Sequence, residues 1–146
     1  MLRAWHFING DKLRDGRTAP PDGEWLVHDG PLVMCESGLH FSEHPFDALQ
    51  YAPGNTLCLV ECDGYIIRGT NEHKDKGLCS RRRIVARMDA KPLLRYFTRQ
   101  QALSVIHLYP SQPEQCILDV LMGDDAASDD LIQAIARRCR NYVVPP

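Results

Sequence analysis

Hydrophobic residues in the first 88 positions follow the two-residue alternation that is typical of β-strands. The clearest case is the run TLCLVEC from Thr56 to Cys62, in which both faces of an extended chain are largely apolar. A strand of this kind belongs inside a sheet, where both faces are covered. Further strands are predicted around Trp5 and at residues 24–27, 32–35, 38–41, 65–68 and 80–88.

Helical spacing replaces this alternation at two places in the chain. Apolar residues from Phe46 to Ala52, preceded by the potential N-cap Ser42, predict a helix of two turns that Pro53 ends. From Asp89 onward the pattern is helical, with a capping box at residues 111–114 and a last helix that opens at Ser128. The predicted fold class is α+β, with a split or twisted, mostly antiparallel sheet, a short embedded helix, and two or three C-terminal helices.

These elements predict a single domain over residues 1–146, with a β-rich body at 1–88 and a helical part at 89–146. The 146 residues are 44% hydrophobic and 25% charged, which excludes a disordered or low-complexity chain. A net charge of −2 gives no electrostatic reason to expect binding of long nucleic acid. No apolar run approaches the roughly 20 residues that span a bilayer, so we expect no membrane partner and a cytoplasmic location.

Six cysteines are scattered among apolar neighbours. They are predicted to be reduced core residues, because nothing in the sequence indicates export to an oxidising compartment. A disulfide framework and a structural zinc site are the alternatives. Zinc is disfavoured because the chain contains no CxxC pair, and no metal is expected.

Polar side chains at the predicted strand ends suggest a small-molecule cleft, which we assign to His6, His40, Tyr51 and Lys76. Each of these residues also has a structural interpretation. His6 can face solvent, His40 can be buried against a backbone partner, and Tyr51 can belong to the core. Neither a Gly-rich phosphate loop nor a GxSxG nucleophile elbow is present.

Two charged groups stand out in addition to this cleft. Lys74, Lys76 and the arginines at 81–83 form either a solvated rim or a local anion site. Acidic residues near the C-terminus form a candidate partner-binding surface, able to compete for a basic nucleic-acid-binding groove, or serve only to cap and solvate helices. These residues are Asp119, Asp124, Asp125, Asp129 and Asp130.

The order of several blocks resembles a widespread family of small uncharacterised proteins from bacteria, phages and prophages. Over residues 3–104, these blocks are AWHF, LRDG, MCESGLHFS, DALQYAPG, LCLVECDG, DK and RRRIV. The resemblance implies a phage or prophage accessory protein that acts in the bacterial host cytosol. Its partner would be a host protein or ribonucleoprotein complex that it binds and inhibits, such as an antiphage defence component in the manner of an anti-CRISPR protein. No cofactor is expected for that function.

A second resemblance, at the level of the fold, is to ADP-ribosyltransferases. It rests on the opening strand with His6, the block from Gly38 to Ser42, the helix that leads to Tyr51, and the strand LCLVECDG. The resemblance implies that His6 binds a ribose hydroxyl of NAD, and that His40 replaces the tyrosine that is usual in the second block.

The glutamate of these transferases has no counterpart at the matching place in this sequence. Glu61 lies in an earlier strand, and Glu114 lies in a predicted helix. The alternative function is therefore an ADP-ribosyltransferase-like enzyme, or a degenerate relative that binds NAD or another nucleotide. It requires the opening strand to lie beside the GLHFS segment.

Overall fold

The computed structural model of the chain describes residues 1–108 and 115–123, without the side chains of Glu72 and Cys116. The chain divides into two compact units, the first formed by Met1–Ala90 and the second beginning at Lys91. The unit boundary therefore lies two residues after the one that the change of hydrophobic period predicts.

An antiparallel sheet of five strands forms the first unit. The strands are β1 (Leu2–Ile8), β2 (Trp25–Val27), β3 (Leu39–Phe41), β4 (Thr56–Arg68) and β5 (Gly77–Asp89). Their order is β1-β4-β5-β2, and β3 pairs with β5 on the same side as β2. The α+β class and the antiparallel sheet that the sequence predicts are confirmed.

Strand β4 lies in the middle of the sheet, between β1 and β5. The first half of β4 is buried or half-buried on both faces, as its two-sided apolar pattern predicts. One face of β4 contributes Cys58, Val60 and Cys62, none of which is exposed to solvent. The remaining buried members of the core cluster are Ala4, Ile8, Ala19, Leu39, Phe41, Cys79 and Ile84.

The two outer parts of the sheet meet at a single residue pair. Trp5 of β1 donates its N–H to the carbonyl of Ser42 at 2.8 Å, and Ser42 donates back to the carbonyl of Trp5 at 3.0 Å. Because Ser42 directly follows β3, this pair partly closes the sheet into a barrel-like shape. The prediction that the opening strand lies beside the GLHFS segment is confirmed.

Three α-helices occur in the described residues: α1 (Pro45–Leu49), α2 (Lys91–Val105) and α3 (Gln115–Met122). Helix α1 is shorter than predicted and begins after His44 rather than at Ser42, which the strand pair with Trp5 holds in an extended conformation. Two 3-10 helices cover Asn71–His73 and Ile106–Leu108. The predicted capping box at 111–114 and the helix from Ser128 lie outside the described residues.

The predicted strand at residues 32–35 is absent, and this segment forms a tight turn. Val33 and Ser37 exchange two backbone hydrogen bonds of 2.9 Å, and Cys35 adopts a positive φ of 67°. A run of four apolar residues is too short for its period to separate a strand from a turn.

The turn predicted at Asp63-Gly64 is also wrong, because β4 continues through it as an irregular strand. Gly64 has a φ of 73°, and the next N–H, that of Tyr65, donates to Ser80 Oγ at 3.0 Å. The glycine therefore serves a bulge rather than a reversal of the chain.

Four cysteines have described side chains, and all four are free thiols. Cys58, Cys62 and Cys79 are buried as predicted, whereas Cys35 is exposed and that prediction is wrong. None of the helices in the described ranges is long and apolar enough to cross a membrane.

Candidate functional site

A cavity of about 660 Å³ opens within the first unit. Its walls come from β1, β3 and the loops that precede and follow β2. Aromatic and aliphatic side chains form much of the lining, namely Trp5, Phe7, Leu13, Leu26, Leu39 and Phe41. The volume lies within the range of roughly 300–1,000 Å³ that is usual for sites of small molecules and cofactors.

The structure brings all four residues of the predicted cleft, His6, His40, Tyr51 and Lys76, to this one cavity. They come from β1, β3, the turn after α1 and the segment before β5. In β1, alternation places His6 on the same face as Ala4, which lies opposite Val60 and is buried in the core.

His6 and His40 have pKa values below their usual range. For His6 the pKa lies well below 6.5, because burial disfavours the charged ring and because Arg82, His40 and Arg14 are nearby. Burial also lowers the pKa of His40, and the charges of Arg82 and Lys76 add to this effect. At neutral pH each imidazole is therefore uncharged, with one hydrogen-bond donor and one acceptor.

Arg82 is the most enclosed cation of the cavity, with 6% of the residue exposed. It lies opposite Cys62 in the register of β4 and β5, so its side chain shares the inner face of the sheet with this buried cysteine. Its Nη1 donates to the carbonyl of His40. No carboxylate of the described residues lies within ion-pair distance of its guanidinium.

The neighbouring arginines, Arg81 and Arg83, lie on the outer face of the sheet. Their guanidinium carbons lie 4.7 and 4.8 Å from the ring centroid of Trp25. Arg83 also forms an ion pair of 2.6 Å with Glu61, and Arg81 one of 3.8 Å with Asp63. The basic group predicted from the sequence is thus not one site, because strand alternation separates Arg82 from its two neighbours.

Three polar residues form a connected cluster at Tyr51. The hydroxyl of Tyr51 donates to the carboxylate of Asp75, and Lys76 Nζ lies 4.6 Å from the centroid of the tyrosine ring. The hydrogen bond raises the pKa of Tyr51 and lowers that of Asp75, so the two remain phenol and carboxylate at neutral pH. These contacts hold Tyr51 and Lys76 in place at the cavity wall.

Sequence reasoning did not single out four charged cavity residues, Arg14, Asp15, Arg17 and Glu36, and it placed Arg82 only in one group with its two neighbours. Arg14 belongs to the loop before β2, where Arg17 and Asp15 form an ion pair of 2.7 Å with each other. Strand alternation was the signal that could have set Arg82 apart from its neighbours. For an exposed loop arginine such as Arg14, the sequence offers no comparable signal.

The position of Glu61 bears directly on the resemblance to ADP-ribosyltransferases. Its carboxylate is bound by Arg83 at 2.6 Å and approached by Arg3 at 3.5 Å, and the residue does not line the cavity. The hydrogen bond from Arg83 lowers the pKa of Glu61. Glu114 lies outside the described residues. The acidic residues that line the cavity are Asp15 and Glu36 instead.

Of the predicted acidic surface, only Asp119 is described. It is exposed on α3, and its Oδ1 accepts a hydrogen bond of 2.8 Å from Gln115. Asp124, Asp125, Asp129 and Asp130 lie outside the described residues. Inhibition of a host macromolecule through this surface stays a prediction.

Within the described ranges, no three His, Cys, Asp or Glu side chains are grouped so that they could hold a metal ion. Searches of curated proteins and of solved structures found no match to the chain. A family model does match, over residues 10–96, which include β2 to β5 and most of the residues that line the cavity. Since this match covers more than half of the 146 residues, the chain belongs to the family described as a domain of unknown function, DUF7666.

Proposed function

We propose that the first unit is a nucleotide-binding module and that its cavity takes NAD or another nucleotide. The observation that carries this proposal is the convergence of His6, His40, Tyr51 and Lys76 on one cavity. Four polar side chains from separate parts of the chain, set among aromatic ones, are typical of a site that orients a small ligand.

Each part of a nucleotide has a suitable partner in the lining. Trp5 and Phe41 are among the residues that line the cavity, and aromatic residues suit contact with a base or a nicotinamide ring. The neutral imidazoles of His6 and His40 can each exchange hydrogen bonds with ribose hydroxyls. The cations of the lining, among them Lys76, compensate the charge of phosphate groups.

The proposed function is binding of a nucleotide, without transfer of ADP-ribose through Glu61. Transfer passes through a positively charged, oxocarbenium-like transition state, which a carboxylate beside the ribose stabilises by several kcal/mol. Glu61 cannot serve there, because it is bound to Arg83 away from the cavity. An enclosed cation such as Arg82 would destabilise such a transition state if it lay near the ribose.

Isothermal titration calorimetry with NAD, ADP and AMP tests this proposal. We expect saturable binding of at least one of them, and a loss of about tenfold in affinity for His6→Ala, which corresponds to one hydrogen bond of about 1.4 kcal/mol. His44→Ala is the matched control, because His44 is exposed and does not line the cavity. Absence of heat with all three nucleotides at millimolar concentration would overturn the proposal, provided that circular dichroism shows a folded protein.

A further inference from the structure

We infer that Arg82 forms an anion subsite in the cavity and that the natural ligand presents a terminal phosphate to it. This inference rests on the proposed function, since it names the class of nucleotide that the same cavity takes. A terminal phosphate is the end of a nucleoside monophosphate or of another phosphorylated small molecule. It differs from the internal diphosphate of NAD, which carries a nucleoside at each end.

The first argument is the charge of Arg82. A guanidinium remains protonated at all physiological pH values, and an unpaired buried charge is costly. With 6% of the residue exposed, Arg82 has lost most of its contact with water, yet no described carboxylate compensates it. An anion that enters the cavity would supply the missing charge.

The second argument is the unused hydrogen-bonding capacity of the same side chain. The guanidinium has five N–H donors, and within the described residues its Nη1 alone has a partner, the carbonyl of His40. Among the described residues, Asp75 Oδ1 and Arg99 Nε are the buried side-chain atoms without a hydrogen-bond partner. The Nε and Nη2 of Arg82 are not in this group, so both remain accessible to solvent. Together with the position of Arg82 in the lining, this leaves two nitrogens for a ligand, which suits the fork geometry of phosphate recognition.

The third argument concerns the groups around Arg82. Arg14 and Lys76 line the same cavity, and their charges, with that of Arg82, reach His40. The lining carries four cations, Arg14, Arg17, Lys76 and Arg82, against two carboxylates, Asp15 and Glu36. This excess of positive charge beside neutral imidazoles favours a dianion such as a phosphate monoester over a singly charged carboxylate.

Buried thiols are the remaining neighbours of this guanidinium. Burial raises the pKa of Cys58 to about 11, so this thiol carries no charge at neutral pH. The hydrogen bond with Cys62 lowers the pKa of Cys79, a third thiol near Arg82. An anion that enters the cavity therefore meets a guanidinium whose inner neighbours are thiols rather than carboxylates.

Enclosure of Arg82 favours a terminal phosphate. Because only 6% of Arg82 is exposed, a group bound to its guanidinium has protein on most sides, and a phosphate with one substituent fits there more readily than one with two. A phosphate monoester has a single substituent, whereas an internal diphosphate carries substituents at both ends.

Calorimetry with AMP and with adenosine tests the inference on the unmodified protein. We expect AMP to bind at least about tenfold more tightly than adenosine, since a charge-assisted hydrogen bond contributes that factor or more. Arg82→Met should abolish this preference while adenosine binding persists. Arg81→Met is the matched control, because Arg81 is the adjacent residue of β5 and lies against Trp25 on the outer face.

The possible outcomes separate this inference from the proposed function. If adenosine binds as tightly as AMP, or if Arg82→Met keeps the preference, the subsite is wrong and nucleotide binding stands. If no nucleotide binds but orthophosphate raises the melting temperature of the wild type and not of Arg82→Met, the subsite stands and the proposed function is wrong. If no nucleotide and no phosphate binds, both are wrong. Should Arg82→Met fail to fold, the comparison of AMP with adenosine on the wild type decides.

Discussion

At His6, enclosure and positive charge act in the same direction on one imidazole. Burial removes the water that stabilises the protonated ring, and Arg82, His40 and Arg14 repel the proton. In the unfolded chain the same residue has the ordinary pKa of about 6.5. As the pH falls below this value, His6 binds a proton in the unfolded state but not in the folded state. The free energy of unfolding therefore decreases until the pH reaches the pKa of the folded state.

We therefore expect the free energy of unfolding of the wild type to fall between pH 6.5 and pH 5. For one fully linked group the slope is at most about 1.4 kcal/mol per pH unit. His6→Gln removes this contribution and should flatten the profile, and His40→Gln should flatten it less because the pKa of His40 is less lowered. Urea denaturation at a series of pH values measures this. A profile for His6→Gln that runs parallel to the wild type would contradict it.

Strand β4 shows how one element carries two different sequence signals. Its first half, TLCLVEC, has the two-sided apolar pattern of a central strand, and the structure places it between β1 and β5. Its second half begins after Asp63-Gly64, a dipeptide that favours turns because glycine adopts positive φ values. The same φ serves a bulge within a strand, where Gly64 has a φ of 73° and lies against Ser80.

Replacing Gly64 with alanine should destabilise the protein by about 1–3 kcal/mol, because an L residue is strained at this φ. A Cβ at this position would also clash with Ser80 Oγ. Ser80→Ala removes the contact together with the hydrogen bond from Tyr65 N–H, so the double variant Gly64→Ala with Ser80→Ala, compared with Ser80→Ala alone, isolates the backbone strain. Denaturant unfolding of the single and double variants measures both contributions. A Gly64→Ala variant as stable as the wild type would show that the bulge needs no glycine.

What could be predicted from the sequence depended on whether the signal was local. Periodicity located β1, β4 and β5, because each is long enough to reveal its faces. His6 and His40 could be proposed from predicted strand ends, although the structure places both of them inside strands. Their meeting depended on one non-local pair, Trp5 with Ser42. Arg82 was missed as a buried residue, because three consecutive arginines look like a solvated surface until the register of the strand is known.

In the part of the chain that the structure describes, the main core cluster and the cavity both lie in the first unit. Every buried residue of the core cluster, and every residue that lines the cavity, falls between residues 4 and 84. Ala90, the last residue of this unit, donates a backbone hydrogen bond of 2.8 Å to the carbonyl of Asn55. These observations indicate that the unit Met1–Ala90 contains what it needs to fold and to form the cavity.

A fragment that ends at Ala90 should therefore retain the sheet, which the reactivity of its thiols can report. It contains four cysteines, of which Cys35 is exposed and the other three are buried. We expect one thiol to react rapidly with a chromogenic disulfide reagent under native conditions and the other three to react only after denaturant is added. Rapid reaction of all four under native conditions would show that the fragment does not fold.

Strands β2 and β3 pair with the same edge of β5, and this arrangement has an evolutionary consequence. Residues 28–38 connect these two short strands without joining the sheet, and His28, Cys35 and Glu36 from this connection line the cavity. Surface connections accept substitutions and insertions far more readily than the strands they join. The wall of the cavity can therefore diverge between relatives while the hydrogen-bonded scaffold is inherited unchanged, which separates the selection of a ligand from the maintenance of the fold.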